Sequence, residues 1–535
     1  MFMVALGESR FLNATMVARQ QQALYKEHEP IYSVPIVHTG TSSHPSRPST
    51  IFLSKTIGRH DMPSIHSAPA SPKRRQLKLG KPASSRCPFP PQPTGIAALP
   101  NEILSDIFAR LVENRKSPRY MTALIRVTHV CHFWRVIAIE NSTLWRRIIL
   151  IPSTPTALLK MCLERSRDCL LEITLSSGMG LDPHCVGLRV RFAWLAVHVR
   201  RWSSLYLSTS PSQARMFLLE CRHLCAPNLR SLVIDTDIGL YDPFTLVTPM
   251  VPENVIDIFT GGAPLLSSLA FMGQPVPYCT RPPLASVDQL EIWGDSNNYV
   301  YHDASGTAQT HISPASLRTL LEPCLELKSL LIETSAVSLD AGKFDAPVSL
   351  PSLLALILMF GEGFSDESLL QLCTGLDVPS IRVLNLSSCT DGLAKALAKC
   401  FKSSSPSKWF PTLDLLSLSM PGNGDVSFLR SLPMLTCLDL AFSDYSLALE
   451  QLSNGNFLEA KDPRERFLLP CLQFMELSDP APSAQHALCQ LITARLEAGI
   501  PIRALTFRWF QRCHWVPPSE FVDWLRERVS HVRGV

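Results

Sequence analysis

PTLDLLSL (residues 411–418) and PMLTCLDL (residues 433–440) are two copies of one phrase: a proline, a short turn and an L-x-L triplet. The phrase returns as PNLRSLVI (227–234), PLLSSLAF (264–271), PSLLALIL (351–358), PSIRVLNL (379–386), PCLQFMEL (470–477) and PIRALTF (501–507). Looser copies are LLEITL (170–175), WSSLYL (202–207), SVDQLEI (286–292) and ELKSLLI (326–332). The first aliphatic of the triplet falls at 173, 205, 232, 269, 290, 330, 356, 384, 416, 438, 475 and 505. The unit is therefore about thirty residues long, the period of stacked repeats.

An L-x-L triplet has a two-residue period and reads as a short strand with one buried face. Helical spacing fills residues 253–259, 365–373, 391–401 and 484–496 between triplets. Strand, helix, strand at this interval predicts an α/β solenoid, with parallel strands on one face and helices on the other. Residues 519–529, with Phe521, Trp524, Leu525 and Val529 apolar, read as an amphipathic helix capping the open end. Residues 151–535 thus resemble an irregular leucine-rich-repeat array. The regular asparagine of the tight repeats is missing, and only Asn385 and Cys389 come close to it.

Residues alternating with the buried aliphatics are expected on an outward, concave sheet face: Asp235, Glu333, Ser387, Ser417, Ser419 and Ser478, and also Glu291, Trp293, Asn385, Asp439, Glu476 and Arg508. The last six form the candidate face for a target protein. Trp293 and Arg508 are the residue types that anchor interfaces; packing of Trp293 on a neighbouring loop is the alternative. The mixed sign of this face favours a protein partner over a nucleic acid.

A different pattern precedes the array. LPNEILSDIFARL (99–111) places Pro100 and Glu102 at a helix start, where a missing N–H is harmless and a negative charge meets the helix dipole. Ile103, Leu104, Ile107, Phe108 and Leu111 make one apolar stripe. A second helical pattern carries Met121, Leu124 and Val127, a third Cys131, Trp134, Ile137 and Ala138, and Leu144-Trp145 closes the unit. So small a module cannot enclose this much apolar surface alone, so a partner is expected to finish one face.

The order LPxEIL…IF…L, VCxxWRxxA, LW over residues 96–150 resembles the F-box, in a spacing similar to that of large fungal families. The usual proline before the terminal LW is absent, and Asn141-Ser142-Thr143 stands there instead. The resemblance implies docking to a Skp-family adaptor and, through it, to a cullin–RING ubiquitin ligase. It places Leu99, Pro100, Ile103, Leu104, Ile107, Val130, Cys131, Trp134, Leu144 and Trp145 on positions of the module's core or adaptor face, without sorting one from the other.

Composition sets the remaining bounds. Residues 1–95 hold 12 Lys/Arg against 4 Asp/Glu, a charge of about +8, with 12 Pro and 12 Ser. They read as a disordered basic tail. The run Lys73-Arg74-Arg75 is a solvated linker or, alternatively, a nuclear import signal. The rest, with 38 Lys/Arg and 42 Asp/Glu, is slightly acidic and lacks the basic face that nucleic acid requires. No apolar run approaches a membrane span. Cys131, Cys162, Cys324, Cys437 and Cys471 are scattered singly in apolar segments and read as small buried hydrophobes in a reducing, cytoplasmic or nuclear compartment.

The sequence carries no phosphate loop, no HExxH and no GxSxG. Cys221, His223 and Cys225, or His129, Cys131 and His132, are soft ligands without a second pair at zinc spacing. No cofactor or metal is expected. The sequence therefore points to a non-catalytic substrate receptor of an SCF-type ligase, or alternatively to an interaction scaffold that does not promote ubiquitination.

Overall fold

In the computed structural model all twelve first aliphatics of the triplets are buried, and each pairs laterally with the next. Ile173 lies beside Leu205, Leu205 beside Leu232, and so on through Met475 to Leu505. The described residues are 99–534 except 114–118, 177–185, 210, 237–255, 274–279, 295–311, 338–343, 361–363, 391, 394, 398–409, 411, 424–425, 454–466 and 510–516. The basic tail, residues 1–95, lies outside them.

The ladder is one fourteen-stranded sheet whose order follows the chain and whose every pairing is parallel. Its fold is a leucine-rich-repeat-like solenoid. The register keeps the buried aliphatics in one line, because a slip by one residue would turn each strand's leucines outward.

Two strands escape the triplet pattern. Arg147–Leu150 opens the sheet and pairs with Leu171–Ser176, so the first strand of the array lies at the end of the segment read as the helical module. His531–Arg533 closes it against Ala504–Arg508. The helix Ser519–Arg528 forms as expected, with Phe521, Val522 and Leu525 buried. It is followed by this last strand and so does not end the array.

The back of the array is mixed. Helices stand at Asp366–Gly375 and Ala484–Glu497, near two of the expected spans, and residues 392–393 and 395–397 are helical. The expected helix at 253–259 is corrected: Ile256–Asp257 is a short strand paired with Thr280–Arg281, and residues 253–255 lie outside the described residues. Phe259 has φ 52°, a left-handed backbone uncommon for a bulky residue. Its ring is buried edge-on to Trp202, with centroids 6.4 Å apart. Core packing of that ring holds the turn where a helix would otherwise continue. A second short ladder pairs Val348–Ser349 with Leu376–Asp377, the latter directly after the helix Asp366–Gly375.

One buried cation is structural. Arg495 has no exposed surface; its guanidinium donates to the carbonyl oxygens of Leu469 (3.0 Å) and Leu472 (2.8 Å) and lies 5.3 Å from the Phe467 ring. Burial lowers its pKa to about 10, so it stays charged at neutral pH. Arg495→Ala strands two buried carbonyls and opens a cavity. The expected loss is about 3–5 kcal/mol, read as a lowered midpoint in chemical denaturation.

Candidate adaptor face and target face

The residues before the sheet form three helices: α1 (Asn101–Glu113), α2 (Arg119–Thr128) and α3 (His132–Glu140), followed by a 3-10 turn at Ser142–Trp145. On α1 two interleaved apolar series separate. Leu104, Phe108 and Val112 are at most 1% exposed, whereas Ile103, Ile107 and Leu111 are 48%, 39% and 47% exposed. Both series step by four residues, so each makes a stripe; one packs on α2 and α3 and the other faces solvent.

α2 buries Tyr120, Met121, Leu124 and Val127. α3 buries Ile137 and Ala138 and leaves Phe133 and Val136 exposed, with Val130 just before it 59% exposed. Trp134 is half-buried against Phe108, with ring centroids 4.9 Å apart. Leu99 is half-buried on the core, and Pro100 is exposed, its carbonyl accepting from the Leu104 N–H at 3.1 Å.

Cys131 is not a buried hydrophobe. It is exposed and caps α3, its sulfur accepting from the Trp134 N–H at 3.4 Å. Cys162 and Cys324 are buried as expected, while Cys437 and Cys471 are half-buried. Burial raises the Cys162 thiol to about 12. Of the soft-ligand trio at 221–225, Cys221 is buried and Cys225 exposed.

The end of the module is locked into the array. Trp145 is fully buried; its indole N–H donates to the Ala138 carbonyl at 2.7 Å, and the Arg165 guanidinium lies 4.5 Å from its ring. Tyr120 donates its hydroxyl to the Leu144 carbonyl at 2.8 Å, and burial pushes its pKa up to about 12. Tyr120→Phe removes this one bond and is expected to cost about 1 kcal/mol in a urea melt. Where the family's proline is missing, the Asn141 carboxamide oxygen accepts from the Thr143 N–H at 3.2 Å and its hydroxyl at 2.6 Å, fixing the turn by capping.

Directly beyond, Arg191 donates to the carbonyls of Ile151, Pro152 and Thr154, clamping the loop after the first strand. One hydrophobic core runs from Leu104 in α1 to Val529 near the end of the array.

Residues 96–151 match the model of the F-box-like family. This helical module is F-box-like. No curated protein matches the chain in sequence. Among solved structures, a Bacteroides fragilis protein aligns at 15% identity over 51% of this chain and 66% of its own length, with a TM-score of 0.27. The chain therefore spans just under two thirds of that protein. An internalin from Listeria monocytogenes aligns at 12% identity over 82% of this chain and 98% of its own, with a TM-score of 0.26.

The F-box-like module thus resolves the ten motif residues into places. Leu104, Leu144 and Trp145 are core; Ile103, Ile107, Val130 and Cys131 are exposed; Leu99 and Trp134 lie between, and Pro100 is exposed at the start of α1. Phe133 and Val136, at the x positions of VCxxWRxxA, join the exposed set. Their spacing of three, off the face of Ile137 and Ala138, was the available signal.

On the sheet, the middle residues of the triplets form a second unbroken row, running through Tyr206, Val233, Ala270, Glu291, Leu331, Ile357, Asn385, Ser417, Asp439, Glu476 and Thr506. The six candidate target-face residues lie on this open face, all half-buried. They are held by near neighbours. The Trp293 indole donates to the Glu291 carboxylate at 3.0 Å, so Trp293 braces its own strand. Burial raises the Glu291 pKa, and that hydrogen bond offsets part of the shift. Asp439 accepts from the Ser417 hydroxyl at 2.9 Å, Asn385 from that of Ser387 at 3.0 Å, and Glu476 pairs with Arg508.

Two expected outward residues are corrected: Asp235 (4% exposed) and Ser478 (7%) are buried. Both stand at strand ends. Asp235 accepts there from the Tyr206 hydroxyl at 2.6 Å, and the Ser478 carbonyl accepts from Tyr445 in the core. Gly294 is required by close approach: a Cβ there would meet the Ser335 hydroxyl and the Ala336 N, while its own N–H donates to Glu333 at 3.0 Å. Among the described residues no helix is long and apolar enough to cross a membrane.

Proposed function

We propose that the chain is the substrate receptor of an SCF-type cullin–RING ubiquitin ligase, its F-box-like module docking a Skp-family adaptor and its solenoid holding a target protein. The observation that carries this is the exposed apolar series on the module, Ile103, Ile107 and Leu111 on α1 with Phe133 and Val136 on α3. Such side chains in water are the mark of a surface that a partner covers.

The mechanism is proximity. The shared core and the Arg191 clamp tie the docking face to the sheet, so a bound target is held at a fixed place relative to the ligase. Tethering raises the local concentration of the target's lysines near the charged ubiquitin carrier. The chain supplies no bond chemistry in this scheme. The test is co-expression of the full chain with a Skp-family adaptor. Stable co-purification, and target ubiquitination by the assembled ligase, are expected; an adaptor complex that stabilises rather than ubiquitinates its target would select the scaffold reading.

A further inference from the structure

Charge is unevenly placed along the array. Residues 146–230 carry twelve Lys/Arg and five Asp/Glu, a net of +7, whereas residues 231–327 carry two Arg and eleven Asp/Glu, a net of −9. Much of the positive charge is used within the fold. Arg146 pairs with Glu172 and Arg189 with Glu220. Arg147, Lys160 and Arg165 lie over the rings of Tyr120, Trp194 and Trp145. Arg191 and Arg201 donate to backbone carbonyls. Arg167, Arg200, Arg222 and Arg230 are exposed, and among the described residues their side chains have no ion pair or hydrogen bond. All four stand on the connections (166–170, 197–201 and 221–230) that lead into three strands, Leu171–Ser176, Trp202–Ser208 and Ser231–Asp235. These strands are lateral neighbours, so the connections lie side by side at one rim of the sheet, about 4.8 Å apart. Hydrogen bonds tie them together. The Arg201 guanidinium donates to the Cys169 carbonyl at 3.1 Å, two residues from Arg167. The Asn228 carboxamide donates to the Arg200 carbonyl at 2.7 Å, two residues from Arg230. Asp168 is the one acid on the three connections. Leu170 and Val197 are 39% and 80% exposed among the arginines.

We propose that this basic rim, built by Arg167, Arg200, Arg222 and Arg230, binds a short segment of a partner protein rich in Asp and Glu. Three neighbouring connections span about 10 Å, close to the Debye length at physiological salt, so the fields of the four cations add. Guanidinium is weakly hydrated and meets a carboxylate with two parallel hydrogen bonds. Charge also selects among occupants. The chain's own residues 1–95 carry about +8 and are repelled. A long polyanion such as a nucleic acid would run on to the next repeats, where residues 231–327 carry −9; a short acidic segment ends before them. The exposed Leu170 and Val197 offer contact to aliphatic side chains of a peptide, which a sugar–phosphate backbone does not have. The rim is neither the adaptor face nor the open face of the sheet, so this inference goes beyond the ligase reading and stands without it.

The probe is a short fluorescein-labelled peptide of glutamates with a few leucines, titrated into the full chain by anisotropy beside a lysine–leucine control. The acidic peptide is expected to bind at least about tenfold more tightly than the control, with affinity falling as salt rises. Arg200→Glu with Arg222→Glu is expected to weaken it at least about tenfold. Arg382→Glu with Arg503→Glu makes the same change in net charge at two exposed arginines next to strands farther along the array, and is expected to leave binding within about twofold. Equal binding of both peptides, or an equal loss in the two double variants, overturns the proposal. Should the Arg200/Arg222 variant misfold, hydrogen exchange on the wild-type chain decides: peptide-induced protection at 166–170, 197–201 and 221–230 supports the proposal, and protection elsewhere overturns it. A single-stranded oligonucleotide of the same charge that displaces the peptide and binds more tightly would make the rim a nucleic-acid site and overturn it. So would a dimer in sedimentation equilibrium that the Arg200/Arg222 variant dissociates, because the occupant would then be a second copy of the chain.

Discussion

Ile103→Asp combined with Ile107→Asp is expected to abolish co-purification with a Skp-family adaptor while the chain stays folded. Both side chains are exposed, at 48% and 39%, so the folded state loses little packing. Asp at position 103, in the first turn of α1, also meets the positive end of the helix dipole. The stability change should stay within about 1 kcal/mol. An interface with apolar anchors would instead have to desolvate two charges; a loss of at least about 100-fold in affinity, or about 2.7 kcal/mol, follows. The adjacent residue behaves oppositely. Leu104→Ala removes a fully buried side chain and is expected to cost about 2–5 kcal/mol of stability. Circular dichroism melts beside a pull-down separate the two, and a double Asp variant that still binds would sink the assignment of the face.

Trp145→Ala is the second large effect. This residue joins the F-box-like module to the array: its ring is fully buried, its N–H is committed to Ala138, and Arg165 packs over it. Truncation leaves a cavity and an unpaired carbonyl, at a cost of about 3–5 kcal/mol. The damage should be local, because repeat arrays are stabilised by neighbour contacts. Hydrogen exchange is expected to show α1–α3 opening while the strands beyond residue 329 keep their protection. Uniform loss along the sheet would mean that the module and array unfold as a single cooperative unit.

The repeat is legible in the sequence because an L-x-L strand is decided locally. Alternation, a preceding turn and a constant period are all visible in one phrase, and twelve of the fourteen strands follow from it. Arg147–Leu150 escapes because its sequence, RIIL, continues the apolar end of the helical module, and His531–Arg533 because three residues carry no period. Residues 253–259 mislead in another way. Their apolar spacing fits a helix, and only the burial of Phe259 against Trp202, nearly sixty residues earlier in the chain, selects the extended path. The F-box-like module shows the deeper limit. Ile103 beside Leu104, and Ile107 beside Phe108, are pairs of adjacent apolar residues on one helix, and either series could have been the core. The choice lies in the packing of α2 and α3, which no local pattern encodes. On the sheet, alternation places the open-face residues, but not that Trp293 braces Glu291 or that Asp235 is buried.

Hydrogen exchange of the full chain with and without a purified Skp-family adaptor is the most direct measurement. The expected result is binding with new protection at residues 101–113 and 130–140 and none on the open face of strands 289–292, 329–333 and 437–444. A well-folded chain that binds no adaptor, or protection on the sheet in place of α1 and α3, would contradict it.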